Sequence, residues 1–159
     1  MSGLAPHLSW EEVLRHSGWA SLVDVPIHLT RAMERTAAEV WMPIREAWGG
    51  PLTVVSGLRN PAANKAAGGK RASQHMLGTA LDLRPADRAD VQRLYDLVAD
   101  LQATGEIPRG GLAAYRHGTP QEPGAWRFLH ADMRGVRARW DRKVAGRWTS
   151  FSLRGLADA

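Results

Sequence analysis

The spacing of apolar residues along the chain predicts two long amphipathic helices. In the first, residues 29–48, apolar side chains recur every three or four positions. These residues are Leu29, Met33, Ala37, Val40, Ile44 and Trp48. Pro43 lies inside the stretch and predicts a kink or a restart, because proline has no backbone N–H to donate. The glycine pair at 49–50 predicts the end of the helix.

The second long helix is predicted over residues 87–103. Its apolar residues form a single stripe along one face and are Val91, Leu94, Leu97, Val98 and Leu101. Gly105 is expected to end it. A shorter helix is predicted near the beginning of the chain, where Ser9 and Glu12 have the spacing of a capping box. That helix is expected to extend to about His16.

Strands are predicted in the shorter apolar runs. The four strands cover residues 52–56, 79–83, 111–115 and 126–133. In the second of them, Leu81 and Leu83 face one side, and Ala80 and Asp82 face the other. A hairpin is predicted over residues 144–151, turning at an Ala-Gly pair.

The order of these elements predicts an α+β fold. Helices come first, and the strands that follow are interrupted by one helix. One helical turn is also expected near residues 62–66, within the loop after the first strand. We therefore expect a small, mostly antiparallel sheet flanked by helices.

Length and composition limit the possible classes of protein. The chain has 159 residues, 44% of them hydrophobic, which fits a single domain spanning residues 1–159. There is no cysteine, so disulfides and thiolate metal sites are excluded and any metal needs histidine and carboxylate ligands. The formal net charge of +5 favours anionic partners, but the basic residues form no nucleic-acid motif, and no nucleic-acid partner is expected. The seven tryptophans suggest that some lie at a groove.

Two further patterns bear on localisation. The first residues contain no basic segment followed by an apolar one, so no secretory signal is expected. No apolar run approaches ~18 residues, so no membrane span is expected.

Three residues are candidate metal ligands: His75, Asp82 and His130. His75 and Asp82 stand seven positions apart, and His130 and Asp132 lie two apart on a predicted strand, so the last two share one face. Two imidazoles and one carboxylate leave a fourth position open for water, which is the arrangement of a catalytic zinc site. The alternative is that these histidines bind no metal, because most single histidines on strands are surface or hydrogen-bonded residues.

Two ordered motifs resemble a known family. Residues 73–82 have the form S-x-H-x-x-G-x-A-x-D, and residues 128–132 read FLHAD. With residues 56–61, which are similar to the segment SGYRS, they resemble the zinc D-Ala-D-Ala carboxypeptidase and murein endopeptidase family. Those enzymes share their fold with the hedgehog signalling domain. The strand around residues 110–115 and the closing RxRW pattern at residues 137–140 extend the resemblance.

The resemblance implies a set of functional residues. It implies His75, Asp82 and His130 as zinc ligands. It implies Arg59 as a catalytic residue that binds a carboxylate or carbonyl of the substrate, a role that a guanidinium fork suits. A structural ion pair is the alternative for Arg59. The residues expected to contact substrate are Arg59, Ser73 and Tyr115, and Ser73 has the alternative role of orienting its loop.

One position departs from the family pattern. Many members carry an acid three residues before the last histidine as general base, and this chain has Arg127 there. A subgroup instead has H-x-D, as in His130-Ala131-Asp132. Asp132 is therefore the candidate general base. Its alternative role is to orient a ligand imidazole.

The resemblance implies a zinc-dependent peptidase that hydrolyses peptide stems or cross-links of bacterial peptidoglycan. The reaction is that of a carboxypeptidase or of an endopeptidase. The chain is expected to be made in the cytoplasm and to act at the bacterial cell wall as a phage lysin or virion component, with other virion proteins as further partners. The alternative is a non-catalytic structural or wall-binding module of a phage particle on the same fold.

Overall fold

The computed structural model of the protein describes residues 3–118, 122–140, 142–144 and 147–149. Its α-helices are α1 (Trp10–Leu14), α2 (Ile27–Thr36), α3 (Met42–Trp48), α4 (Pro61–Ala66) and α5 (Val91–Thr104). Its strands are β1 (Gly3–Ala5), β2 (Leu8–Ser9), β3 (Leu52–Ser56), β4 (Ala80–Pro85), β5 (Gly111–Gly118), β6 (Pro123–Asp132), β7 (Ala138–Trp140), β8 (Arg142–Val144) and β9 (Arg147–Thr149). No helix among the described residues is long and apolar enough to cross a membrane.

The central sheet has five strands in the order β3-β4-β6-β5-β7. Every neighbouring pair is antiparallel except β5 and β7, which run parallel. Small antiparallel pairs are formed by β1 with β2 and by β8 with β9. The predicted α+β class with a mostly antiparallel sheet is therefore confirmed. The turn of the predicted last hairpin, residues 145–146, lies outside the described residues.

One face of this sheet belongs to the core. Six fully buried side chains form this face: Leu81, Leu83, Leu112, Ala114, Leu129 and Ala131. Helix α5 packs against β4, β5 and β6 and contributes its own apolar stripe to the same core. This burial leaves the opposite face of the sheet available for a site.

Register places five side chains in one row across that opposite face. The row runs Ser56, Asp82, His130, Ala113 and Trp140, one residue from each strand. Residues directly opposite each other in a sheet point to the same side, so these side chains are neighbours although they are far apart in sequence. The small Ala113 is fully buried between His130 and Trp140, whose ring centroids lie 5.1 Å apart.

The first long helix is divided in three. Helix α2 gives way to a π-helical segment (Ala37–Trp41), and α3 restarts with Pro43 in its first turn. This confirms the prediction of a kink or restart, and proline is tolerated there because first-turn N–H groups have no intrahelical partner. Gly49 ends α3 in the left-handed conformation, with φ 73°.

Two local predictions elsewhere are confirmed, and the predicted end of the first helix is wrong. The Ser9 hydroxyl accepts from the Glu12 N–H at 3.2 Å, and the Glu12 carboxylate accepts from the Ser9 N–H at 2.8 Å. This capping box starts α1, which ends at Leu14 rather than near His16. The helical turn expected near residues 62–66 is α4, capped by Asn60.

Candidate active site

The three predicted ligands converge on one point of the sheet face opposite the core. Asp82 lies on β4 and His130 on β6, while His75 lies on a 3₁₀ turn (Gln74–Leu77) that precedes β4. Asp82 Oδ1 is 3.2 Å from His75 Nε2 and 3.0 Å from His130 Nδ1. The three donor atoms lie within 4.8 Å of one another, and all three residues are buried.

A glycine turn brings His75 to this point. Gly78 follows the 3₁₀ turn with φ 71°, a left-handed conformation that favours glycine. A Cβ there would also lie 3.1 Å from the Leu29 carbonyl of α2, so the helix packs directly on the turn. The Thr36 hydroxyl donates to the Gly78 carbonyl at 2.7 Å and ties the turn to the end of α2.

Hydrogen bonds fix the orientation of both imidazoles. His75 Nδ1 lies 2.7 Å from the Gly57 carbonyl, which can only accept, so Nδ1 donates there and Nε2 is the ring nitrogen that faces Asp82. His130 Nε2 lies 2.8 Å from Asp132 Oδ2, and donation there leaves Nδ1 facing Asp82. Two ring nitrogens and a carboxylate oxygen then face one another. With the protons lost from these two nitrogens, the donor set is one that zinc accepts.

Perturbed pKa values agree with a site for positive charge. Burial alone would raise the pKa of Asp82, but its interactions with His75 and His130 outweigh burial and hold that pKa well below the usual range. Burial alone would lower the pKa of His130, but hydrogen bonds with Asp132 and Asp82 outweigh it and raise that pKa. The His130 ring therefore favours a positive charge at Nδ1, for which a proton and a metal ion compete.

Asp132 lies behind His130, on the side away from Asp82. Its carboxylate accepts from the Gly111 N–H at 2.8 Å and from Arg134, with Nε at 2.9 Å and Nη2 at 2.6 Å. Burial would raise the pKa of Asp132, but the hydrogen bonds from His130 and Arg134 lower it by more. The side chain is fully buried, and both of its oxygens are occupied. A Cβ at residue 111 would collide with this carboxylate and lie 2.7 Å from the Trp140 ring, so only glycine fits there.

Arg59 lies on the other side of Asp82. Its Nη2 donates to Asp82 Oδ2 at 3.2 Å, its Nε to Ser56 Oγ at 2.9 Å, and its Nη1 to Asn64 Oδ1 at 3.4 Å. The Arg59 side chain is 13% exposed to solvent and lines the cleft. The structure thus shows the ion pair that was the alternative for Arg59, and it also leaves part of the guanidinium facing the cleft.

The remaining predicted site residues also border the cleft. Ser73 caps the 3₁₀ turn, its hydroxyl accepting from the His75 N–H at 3.2 Å. Tyr115 on β5 stacks on Phe128, with ring centroids 4.7 Å apart, and its hydroxyl accepts from Trp140 Nε1 at 2.7 Å. The Trp140 ring in turn packs 5.1 Å from the His130 ring. The sheet row therefore ends in an aromatic wall beside His130.

The cleft above these residues has a volume of about 340 Å³. Five basic residues line it: Arg59, Lys70, Arg116, Arg127 and Arg134. Asp82 is the one acidic residue among the described lining residues. A cleft with this excess of positive charge favours an anionic substrate.

Sequence reasoning did not identify Arg134 as part of the site. Its guanidinium forms a two-pronged salt bridge with Asp132, which itself binds His130. The available signal was its spacing of two residues from Asp132, the same spacing that separates Asp132 from His130. The end of β6 at Asp132 weakened that signal, because alternation applies only within a strand.

Two imidazoles and a carboxylate at the floor of an open cleft are the kind of site that metal-dependent hydrolases use. A family model described as Peptidase M15 matches residues 6–117. The chain therefore belongs to the peptidase M15 family, the metal-dependent and usually zinc-dependent family of the D-Ala-D-Ala carboxypeptidases. The matched segment includes His75 and Asp82, whereas His130 lies beyond it. No curated protein matched the chain.

Proposed function

We propose that the protein is a zinc-dependent peptidase that hydrolyses the peptide stems or cross-links of bacterial peptidoglycan. The observation that carries the proposal is the fixed orientation of the two imidazoles. The Gly57 carbonyl and the Asp132 carboxylate each accept a hydrogen bond from the far side of a ring, so that the other nitrogen of each ring faces Asp82 Oδ1. Histidines that bind a metal usually donate their other ring N–H to a carbonyl or a carboxylate in this way.

His75, Asp82 and His130 are the residues that would hold zinc. When bound, zinc polarises a carbonyl and activates water near neutral pH. Arg59 keeps Asp82 Oδ2 engaged, so that Oδ1 is the oxygen left for the metal. Three of the five N–H donors of Arg59 are used within the protein, and the rest of the guanidinium can bind a carbonyl or carboxylate oxygen of the substrate.

We assign Asp132 to the orientation of His130. A general base must reach the attacking water directly or through one other water. The oxygens of Asp132 are instead occupied by His130, Arg134 and the Gly111 N–H, and its side chain is fully buried. This geometry supports the second of the two roles that the H-x-D motif allows.

The charge of the cleft supports peptidoglycan as the substrate. The stem peptides of peptidoglycan carry several carboxylates, and the cleft presents five basic residues. Ser73 and Tyr115 border the same space and are assigned to substrate contacts. On this proposal the protein acts at the bacterial cell wall, as a phage lysin or a virion component, and its reaction is that of a carboxypeptidase or an endopeptidase.

The direct test is digestion of purified peptidoglycan. Zinc-loaded protein should release peptide fragments, a chelator should abolish the release, and added zinc should restore it. Chromatography and mass spectrometry of the fragments would identify the bond. Undiminished hydrolysis by protein shown to be free of metal would refute the proposal.

The cleft also supports a second candidate function, a non-catalytic module that binds the wall. The observation in its favour is that, apart from Asp82, the described residues lining the cleft offer no carboxylate for proton transfer. In the same digestion, this candidate predicts sedimentation of the protein with peptidoglycan without release of fragments.

Arg59→Lys tests the assignment of substrate binding. Lysine keeps the positive charge beside Asp82 but loses the planar fork, so kcat/KM should fall on the order of 10²-fold, the scale of one lost donor to a developing oxyanion. Zinc content and thermal stability should stay near those of the unaltered protein. Arg31→Lys, an exposed position on α2, is the matched control. An unchanged kcat/KM in Arg59→Lys would remove this residue from the mechanism.

A further inference from the structure

Strand β6 contains a β-bulge at the edge of the cleft. Tyr115 pairs with Phe128, but the next residue, Arg116, pairs with Trp126, so Arg127 has no partner residue in β5. Regular alternation would turn residue 127 to the face opposite Phe128. Instead both Arg116 and Arg127 line the cleft. Bulges beside functional sites commonly redirect side chains in this way.

Aromatic rings hold the two arginines in place. The Arg116 guanidinium lies 4.3 Å from the centroid of the Trp126 ring, and its Nε donates to the Gly124 carbonyl at 3.1 Å. The Arg127 guanidinium lies 5.4 Å from the Phe128 ring, which is stacked on Tyr115. Stacking on a ring restricts a guanidinium without neutralising it.

The charge environment of this pair differs from that of the other arginines in the cleft. Among the described residues, no carboxylate forms a salt bridge with Arg116 or with Arg127, whereas Arg59 and Arg134 in the same cleft each have one. Arg127 also stands three residues before His130, where many members of the resembling family carry an acid. Arginine stays protonated in proteins and cannot accept a proton there. The position is therefore suited to binding an anion.

We propose that Arg116 and Arg127 form an anion-binding subsite that takes a carboxylate of the substrate peptide and makes this protein selective for acidic peptides. The proposal rests on the proposed function, because the subsite belongs to the same cleft. A carboxylate matches the guanidinium fork through two parallel hydrogen bonds. Arg127 is the residue that determines specificity, since the bulge turns it into the cleft.

The test uses peptidoglycan stem peptides in which each carboxyl group in turn is replaced by a carboxamide of nearly the same shape. At one of these carboxyl positions, the replacement should matter: the unaltered protein should cleave the free acid with a kcat/KM roughly 10-fold higher than that for the amide. This is the scale of one charge-assisted hydrogen bond. Arg127→Gln should lose that preference by cleaving the acid more slowly while cleaving the amide as before. Arg127→Lys should keep only part of it.

A matched control is Arg93→Gln. Arg93 is also an exposed arginine on an aromatic ring, 4.2 Å from the Trp48 centroid, but it lies on α5, behind the sheet. This substitution makes the same change of net charge away from the cleft and should leave the preference unaltered. A preference reduced equally by Arg93→Gln would show a general effect of charge and would overturn the subsite.

Binding measurements separate this proposal from the proposed function. Dissociation constants for the acid and amide peptides, measured by calorimetry on the unaltered protein and on Arg127→Gln, report on the subsite without any hydrolysis. Acid-selective binding that depends on Arg127, in a protein that cleaves nothing, would uphold the subsite and refute the peptidase. Hydrolysis of acid and amide at equal rates, with equal binding, would refute the subsite and leave the peptidase intact. Circular dichroism would establish that each variant is folded.

Discussion

Replacing His75 with alanine is expected to abolish stoichiometric zinc binding. The unaltered protein should contain about one zinc ion per chain, the stoichiometry of a site with two imidazoles and one carboxylate. Removing His75 leaves two ligands, one of which is the ionised Asp82 already paired with Arg59. Metal analysis of the purified variant should show almost no zinc. Peptide hydrolysis should fall by on the order of 10³-fold or more, because a metal supplies several kcal/mol of the stabilisation of the transition state.

The matched control is His28→Ala. His28 is exposed on α2 and should be replaced without loss of zinc or activity. Because His75 Nδ1 also donates to the Gly57 carbonyl, His75→Ala is expected to be less stable by about 1–3 kcal/mol, the cost of leaving a buried acceptor unpaired. Full zinc occupancy in a folded His75→Ala protein would exclude His75 as a ligand.

The second large effect is expected for Asp132→Asn. The backbone N–H groups of Gly111 and Arg134 both donate to Oδ1, so the new amide nitrogen is expected to replace Oδ2 beside His130, at the loss of the bond from Arg134 Nη2 to Oδ2. An amide N–H there donates to Nε2 and shifts the ring proton to Nδ1, the atom that faces Asp82. The variant should bind zinc roughly 10- to 100-fold more weakly, the usual effect of losing a group that orients a metal ligand. Competition with a chromogenic chelator measures this affinity.

Turnover at saturating zinc distinguishes the two roles of Asp132. If Asp132 orients His130, excess zinc should restore most of the activity of Asp132→Asn. If Asp132 were the general base, zinc affinity would be nearly unaltered and kcat would remain on the order of 10²-fold or more below that of the unaltered protein. Asp100→Asn, an exposed position on α5, controls for the change of charge. Unaltered affinity and unaltered kcat together would remove Asp132 from the site altogether.

Much of the local structure was predictable because its causes are local. The capping box at Ser9, the restart of the helix around Pro43 and the glycine that ends α5 each depend on bonds within one turn of helix. The alternation that separates Asp82 from Leu81 follows from the geometry of a single strand. These features depend little on the rest of the chain.

The candidate ligands were also predictable, though for a different reason. His75 and Asp82 share an ordered motif with a known family, and the family match over residues 6–117 agrees with it. His130 lies outside that matched segment. Its position beside Asp82 follows from the antiparallel pairing of β4 with β6, which brings together residues 48 positions apart.

The sequence by itself therefore determined the class of fold, most of the elements and the identities of the candidate ligands. Tertiary structure alone decided the environment of those ligands: the row across five strands, the burial of Asp132 between His130 and Arg134, and the bulge that turns Arg127 into the cleft. The physical reason is that the register between strands distant in sequence is set by packing of the whole core. A shift of one residue in β6 would send the side chains of His130 and Asp132 to the other face.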